Sequence, residues 1–187
     1  MKRMAELTLV AKKIVPRLVT AAGLLIAACT FATGQSSVQI QLPEVHLDAA
    51  GLAPRPIEEL TGTTIARYYA LAWRDMAVAL ESGRTGGLGD EFVGFAKDRL
   101  ARRIAEQNQV GVHVRIVDHG HHLKAVFYST DGAAMQLRDQ VELEIQTFDG
   151  DKLIDTQNAP REYMVLMTPG ADRWYVRDLE EVSAKSF

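Results

Sequence analysis

Between residues 57 and 82 the apolar positions recur at intervals of three and four: Ile65, Tyr69, Ala72, Met76 and Leu80 form one stripe, which Tyr68, Trp73 and Ala79 widen. The spacing predicts an α-helix buried along most of its length. Gly83 supplies the residue type that commonly ends one. Past the stretch GRTGGLGD, Asp90 is placed to cap a second helix reaching about residue 107. Phe92, Phe95, Ala96, Leu100 and Ile104 form its inner face, and Lys97, Arg99, Arg102 and Arg103 its outer one. From Val110 the period falls to two, which predicts strands. A two-residue turn at His119 and Gly120 sets Val112 against Phe127, Val114 against Ala125 and Ile116 against Leu123, all apolar pairs. Asp149 and Gly150 mark a second hairpin, between a long strand from about residue 134 and a shorter one through residue 156; TPGAD marks a third, joining EYMVLM to RWYVRDL. The predicted class is α+β: two N-terminal helices packed on a curved antiparallel sheet of about five to six strands.

The first 34 residues follow a different pattern. Residues 1–17 are basic, and LVTAAGLLIAACTFATG, residues 18–34, carries no charge. This is expected to be a targeting segment or membrane anchor, with the rest of the chain outside the cytoplasm. The motif LIAAC, ending at Cys29, resembles the bacterial lipoprotein signal, although Ile26 stands where leucine is commonest. The resemblance implies cleavage before Cys29 and a lipid on its sulfur. Cleavage after Gly34 and retention as an anchor also fit; 17 uncharged residues are near the lower limit for crossing about 30 Å of hydrocarbon. Residues 35–56, broken by Pro43, Gly51, Pro54 and Pro56, are expected to be an extended linker that docks on the domain or lends it an edge strand through Val38, Ile40 and Leu42. The domain itself is expected over 57–182, with 183–187 as a tail.

Charge narrows the function classes. The first 28 residues hold five basic side chains and one acid; removing these from the chain's 21 basic and 24 acidic residues leaves 16 and 23, a net charge of −7. Such a surface lacks the clustered lysine and arginine that neutralise phosphates, so no nucleic-acid partner is expected. A single cysteine excludes an intramolecular disulfide, and there is no P-loop, GxGxxG, CxxC or GxSxG.

The order of elements and the closing strand DRWYVRDL, Asp172 to Leu179, resemble the nuclear transport factor two-like group, also called SnoaL-like or cystatin-like. They also resemble the related domain of plastid-division proteins. The likeness covers roughly residues 57–182. It implies a cone-shaped sheet with a pocket beneath the helices, in a superfamily that holds isomerases and dehydratases beside members that only bind. Fold likeness does not choose between these roles.

Two clusters are candidates for chemistry. Asp118, His119, His121 and His122 fall within five positions. In the proposed hairpin His113 and His122 lie about 13 Å apart along the strand, too far to share a metal ion. Asp118 becomes the turn's closing residue, accepting turn amides and partnering His121; no metal and no cofactor are expected. The second candidate is Asp139. In MQLRDQVELEIQT it shares parity with Met135, Leu137, Val141, Leu143 and Ile145, so it should face the core, where an unpartnered carboxylate costs several kcal/mol. Tyr68 and Tyr69 are its expected neighbours, forming a pocket wall, or a tyrosine or arginine satisfies it as a purely structural group. The glutamate pairs Glu58–Glu59 and Glu180–Glu181 sit at element ends and are expected to be solvated. The expectation is an exported, membrane-tethered domain that binds a small ligand or an envelope protein without catalysis and is compatible with homodimerisation; the alternative is a small pocket enzyme with Asp139 as general base.

Overall fold

A computed structural model describes residues 41–182. Cys29 and the targeting segment lie outside the described residues, as do Val38 and Ile40. No helix among the described residues is long and apolar enough to cross a membrane.

Helix α1 (Glu59–Ser82) begins after the last of the clustered prolines and buries Ile65, Tyr69, Ala72, Trp73, Met76 and Leu80, the predicted stripe. It ends at Gly83, whose φ of 69° is left-handed. Asn108 donates its side-chain amide to the Gly83 carbonyl at 2.9 Å, and a Cβ on Gly83 would collide with that amide. Backbone conformation and close approach therefore both require glycine there.

The second helix departs from expectation at its start. Asp90 ends a 3₁₀ turn, Leu88–Asp90, and α2 runs Gly94–Val110 with Val93 at its N-cap position. The intervening residues are held by β-type bonds instead: Val176 donates to the Glu91 carbonyl and Val93 to the Val176 carbonyl. The helix starts three residues later than predicted, and Phe95 points outward, 73% exposed, on the side of Arg99 and Arg102, whereas Phe92 is buried ahead of the helix. Ala96, Leu100 and Ile104 face inward as predicted.

The sheet contains β1 (Val45–Asp48), β2 (Val112–Tyr128), β3 (Met135–Asp149), β4 (Lys152–Pro169) and β5 (Trp174–Glu181) in sequence order. It is mixed, not wholly antiparallel. β1, formed within the segment expected to be a linker, runs parallel to β2, while the other neighbours are antiparallel.

The predicted turn at His119–Gly120 does not form. β2 continues through it and pairs along its length with β3, with a register shift between Asp118 and His121. Gly120, at φ 109°, sits in this bulge and donates to Asp118 Oδ1 at 2.8 Å. The first strand reversal lies at Ser129–Ala134 instead, where Ser129 donates to the Ala134 carbonyl. The turns at Gly150 and around Gly170 occur as predicted, but the two short strands expected between them are one strand, β4.

The core fills the space between the helices and one sheet face, with Leu123, Ala125, Met135, Leu137, Val141, Leu143, Val165 and Met167 buried beneath α1 and α2. Beyond the helices the β3–β4 ribbon loses its cover, and Leu153 and Ile154 are 48% and 50% exposed.

Candidate functional site

The bulge in β2 shifts the inward parity of the strand, from Val114 before it to His121, Leu123 and Ala125 after it. It thereby drives a histidine into the core opposite the acid predicted to face inward. His121 and Asp139 are both fully buried. His121 Nδ1 lies 2.7 Å from Asp139 Oδ2, and His121 Nε2 lies 2.8 Å from Asp118 Oδ2. Tyr69, one turn before Trp73 on α1, donates its hydroxyl to the same Asp139 Oδ2 at 2.8 Å.

Ionised carboxylates only accept hydrogen bonds, so an imidazole held between two of them donates from both nitrogens and is an imidazolium. Burial alone lowers the His121 pKa, but the bonds to Asp118 and Asp139 outweigh it and hold the group at about 9. Burial, and then the charge of Asp139, push the Tyr69 hydroxyl well above its ordinary value, so Tyr69 remains a donor. Aromatic rings enclose the histidine: Trp73 packs on it at 4.5 Å between ring centroids and Tyr69 edge-on at 5.5 Å.

The structure thus places Asp139 and Tyr69 together and joins them to His121 and Asp118, and neither Asp139 nor Tyr69 lines the two open spaces that flank them. Tyr68 stands apart and donates to the Asp172 carbonyl. Asp118 does accept a turn-like amide and does partner His121, within a bulge and not at a hairpin tip. His113 stacks on Phe148 across β3, and His122 stacks on His46 of β1. Among the described residues no three histidine, cysteine or acidic side chains converge as metal ligands.

Two open spaces flank this cluster, and Asp139 lines neither. A cleft of about 240 Å³ opens between α1, α2 and the sheet, walled by Met76, Leu80, Leu100, Ile145 and Leu179, with Arg99, Arg103, Tyr163 and Glu181 as its polar lining. A wider groove of about 440 Å³ lies between residues 41–44, α1 and the first half of β2. Its charged groups largely pair with one another: Arg115 with Glu81 at 2.7 Å and Asp118 with His121. Trp73 lines both spaces.

One further acid is buried. Glu91, before α2, is pushed up to about 7 by burial, with Arg173 3.8 Å away as a loose counter-ion.

Fold and site together define an α+β domain with a helix-covered sheet, a buried ionic cluster whose Asp118 end lines the wider groove, and a small apolar cleft. No family model matches the chain, and no curated protein matches it. Among solved structures it is similar to the intermembrane space region of the chloroplast protein ARC6, with a TM-score of 0.56 at 14% identity over 69% of this chain and 98% of that one. Looser likenesses are to a candidate dehydratase of the NTF2-like family from Streptomyces avermitilis (TM-score 0.43, 12% identity, 64% of this chain and 95% of that one) and to a protein of unknown function with a cystatin-like fold from Nostoc punctiforme (TM-score 0.39, 12% identity, 68% and 96%). Identities this low speak to the fold alone.

Proposed function

We propose that this chain is an exported, membrane-tethered protein whose folded domain binds a small ligand or a segment of an envelope protein in the cleft between its helices and sheet, without catalysis. The observation that carries the non-catalytic reading is the closure of the acid cluster. Asp139 is fully buried, and its Oδ2 is occupied by Tyr69 and His121. A general base must come within hydrogen-bond reach of the proton it removes, and Asp139 lines neither of the two spaces that flank it among the described residues.

The cleft supports binding because apolar walls with a few polar groups are the usual make-up of a ligand site. At about 240 Å³ it suits a small ligand or a few side chains of a partner. Tethering rests on the basic start and the uncharged residues 18–34. The mass of the mature protein tests it: cleavage before Cys29 plus a lipid, or retention of the whole segment, fits the tether, whereas a lipid-free product beginning at Gln35 overturns it. Binding is tested by filling the cleft with Ala96→Leu. Ligand-induced stabilisation of the wild type should vanish in this variant, and its persistence would place the site elsewhere.

A further inference from the structure

The polar groups around the cleft are not equivalent, and their differences identify what the cleft takes. Arg99 is engaged by Asp178 of β5. Glu181 is held by Arg161 at 2.7 Å. Arg103, four residues after Arg99 and so on the same side of α2, makes no ion pair among the described residues, and the Tyr163 hydroxyl makes no hydrogen bond among them. The two groups left over are both donors. Burial, and then the charge of Glu181, hold Tyr163 protonated by raising it to about 12. The one acid in the lining is neutralised, so nothing in the cleft offers an unengaged negative charge to a cationic ligand.

We infer that the cleft is a site for a small apolar carboxylate, its carbon chain against Leu80, Leu100, Ile145 and Leu179 and its carboxylate accepting from the Arg103 guanidinium and the Tyr163 hydroxyl. This deepens the binding function proposed above and rests on it. The chemistry is complementary in three respects. A guanidinium offers a carboxylate two parallel donors. A protonated phenol adds a third donor without adding charge. The apolar wall rewards chain length, by roughly fourfold in affinity per buried methylene, a gain that a short acid such as acetate does not obtain.

The test uses the full-length chain with octanoate, octan-1-ol and octylamine below their self-association limits, following thermal unfolding and isothermal titration. Octanoate should bind at least about tenfold more tightly than octanol, with octylamine weakest, the size expected for a charge-assisted pair. Arg103→Gln, at an exposed helix position, should remove that preference, bringing octanoate and octanol to similar affinities. Tyr163→Phe should reduce octanoate affinity by a smaller factor. Equal binding of octanoate and octanol, or an octanoate preference that survives Arg103→Gln, overturns the carboxylate inference while sparing the binding cleft. Failure of all three probes, together with capture of an acidic peptide at the same residues, also overturns it and assigns the cleft to a protein segment. Failure of every probe and peptide removes the cleft function itself.

Discussion

Asp139 and Tyr163 are register partners on adjacent strands of the same sheet, yet they belong to opposite kinds of polar site. Around Asp139 two carboxylates share the one His121 imidazolium, and Trp73 and Tyr69 pack their rings against it, leaving Asp139 Oδ1 without a partner in the cluster. Around Tyr163 the space is open, and its hydroxyl and the Arg103 guanidinium find no acceptor among the described residues. The buried cluster is a product of folding, since removing one member leaves another charged group stranded in the core. The cleft is the reverse: its unengaged donors are solvated now and can exchange water for a ligand. Where the ions are closed upon each other the molecule invests in its own stability, and where they are left open it is available to something else.

The largest break in this contrast should come from Asp139→Ala. It leaves the His121 imidazolium with one carboxylate and Tyr69 without an acceptor, and should cost about 3–5 kcal/mol in urea unfolding. Arg103→Ala, on the open side, should fall within about 0.5 kcal/mol of wild type in the same measurement. A similar loss from both would erase the distinction. Next comes Gly83→Ala, expected to cost about 1–2 kcal/mol because φ is left-handed and Asn108 occupies the space a Cβ would take.

The cluster should also show in the pH dependence of stability. The folded His121 pKa of about 9 lies above the ordinary value of 6.5, so the native state binds the extra proton between them. Its stabilisation is fully present below pH 6.5 and is lost as pH rises toward 9. Thermal unfolding should therefore weaken from pH 6.5 to 9.5, and Asp118→Asn should flatten that decline. A decline of unchanged size in the variant would detach it from His121. Glu91, raised to about 7, has the same sign over a lower window: burying its charge penalises the fold above pH 7, and protonation relieves this as pH falls toward 4.5. Glu91→Gln should remove the part of the pH dependence lying between 4.5 and 7. The smallest effect belongs to the uncovered ribbon, where Leu153→Ser should change stability by less than about 0.5 kcal/mol because the side chain is half exposed already.

The parts of this architecture that were legible from sequence are those where one periodicity holds without interruption. The α1 stripe, the inward parity of Asp139 and the turns at Gly150 and Gly170 follow from repeats of 3.6 and 2 and from glycine placement. β2 was misread because a bulge and a hairpin share a composition: DHGH offers an aspartate to cap amides and a glycine with positive φ, which both structures use. The change of parity, with Val112, Val114 and Ile116 before the stretch and Leu123, Ala125 and Phe127 after it, does not separate them, since a two-residue hairpin pairs even with odd positions just as a bulge shifts one to the other. A second turn signature, STDGAA, stood a few residues on. His121 was missed as a core residue because, although it shares the parity of Leu123 in both arrangements, the closing pair of a hairpin tip is solvated, whereas in a continuous strand the same position lies against Tyr69 and Trp73. Phe95 was misplaced although the helical period itself sets it on the side of Arg99 and Arg102, away from Ala96, Leu100 and Ile104; the late helix start had no such signal, since no local pattern announces the bonds of Glu91 and Val93 to a strand more than eighty residues away.

The parallel pairing of β1 has a mechanical side. The chain enters the described domain at Gln41, and its first bond to the sheet is the Glu44 carbonyl accepting from the His121 amide. The backbone that receives this segment is thus that of the residue whose ring is locked between two carboxylates. A pull along the strand from the amino-terminal side strains the four β1–β2 register pairs together in shear, and its first point of resistance is backed by an ionic cluster in the centre of the core. A load arriving along β1 would therefore pass first into the strand that carries the buried cluster.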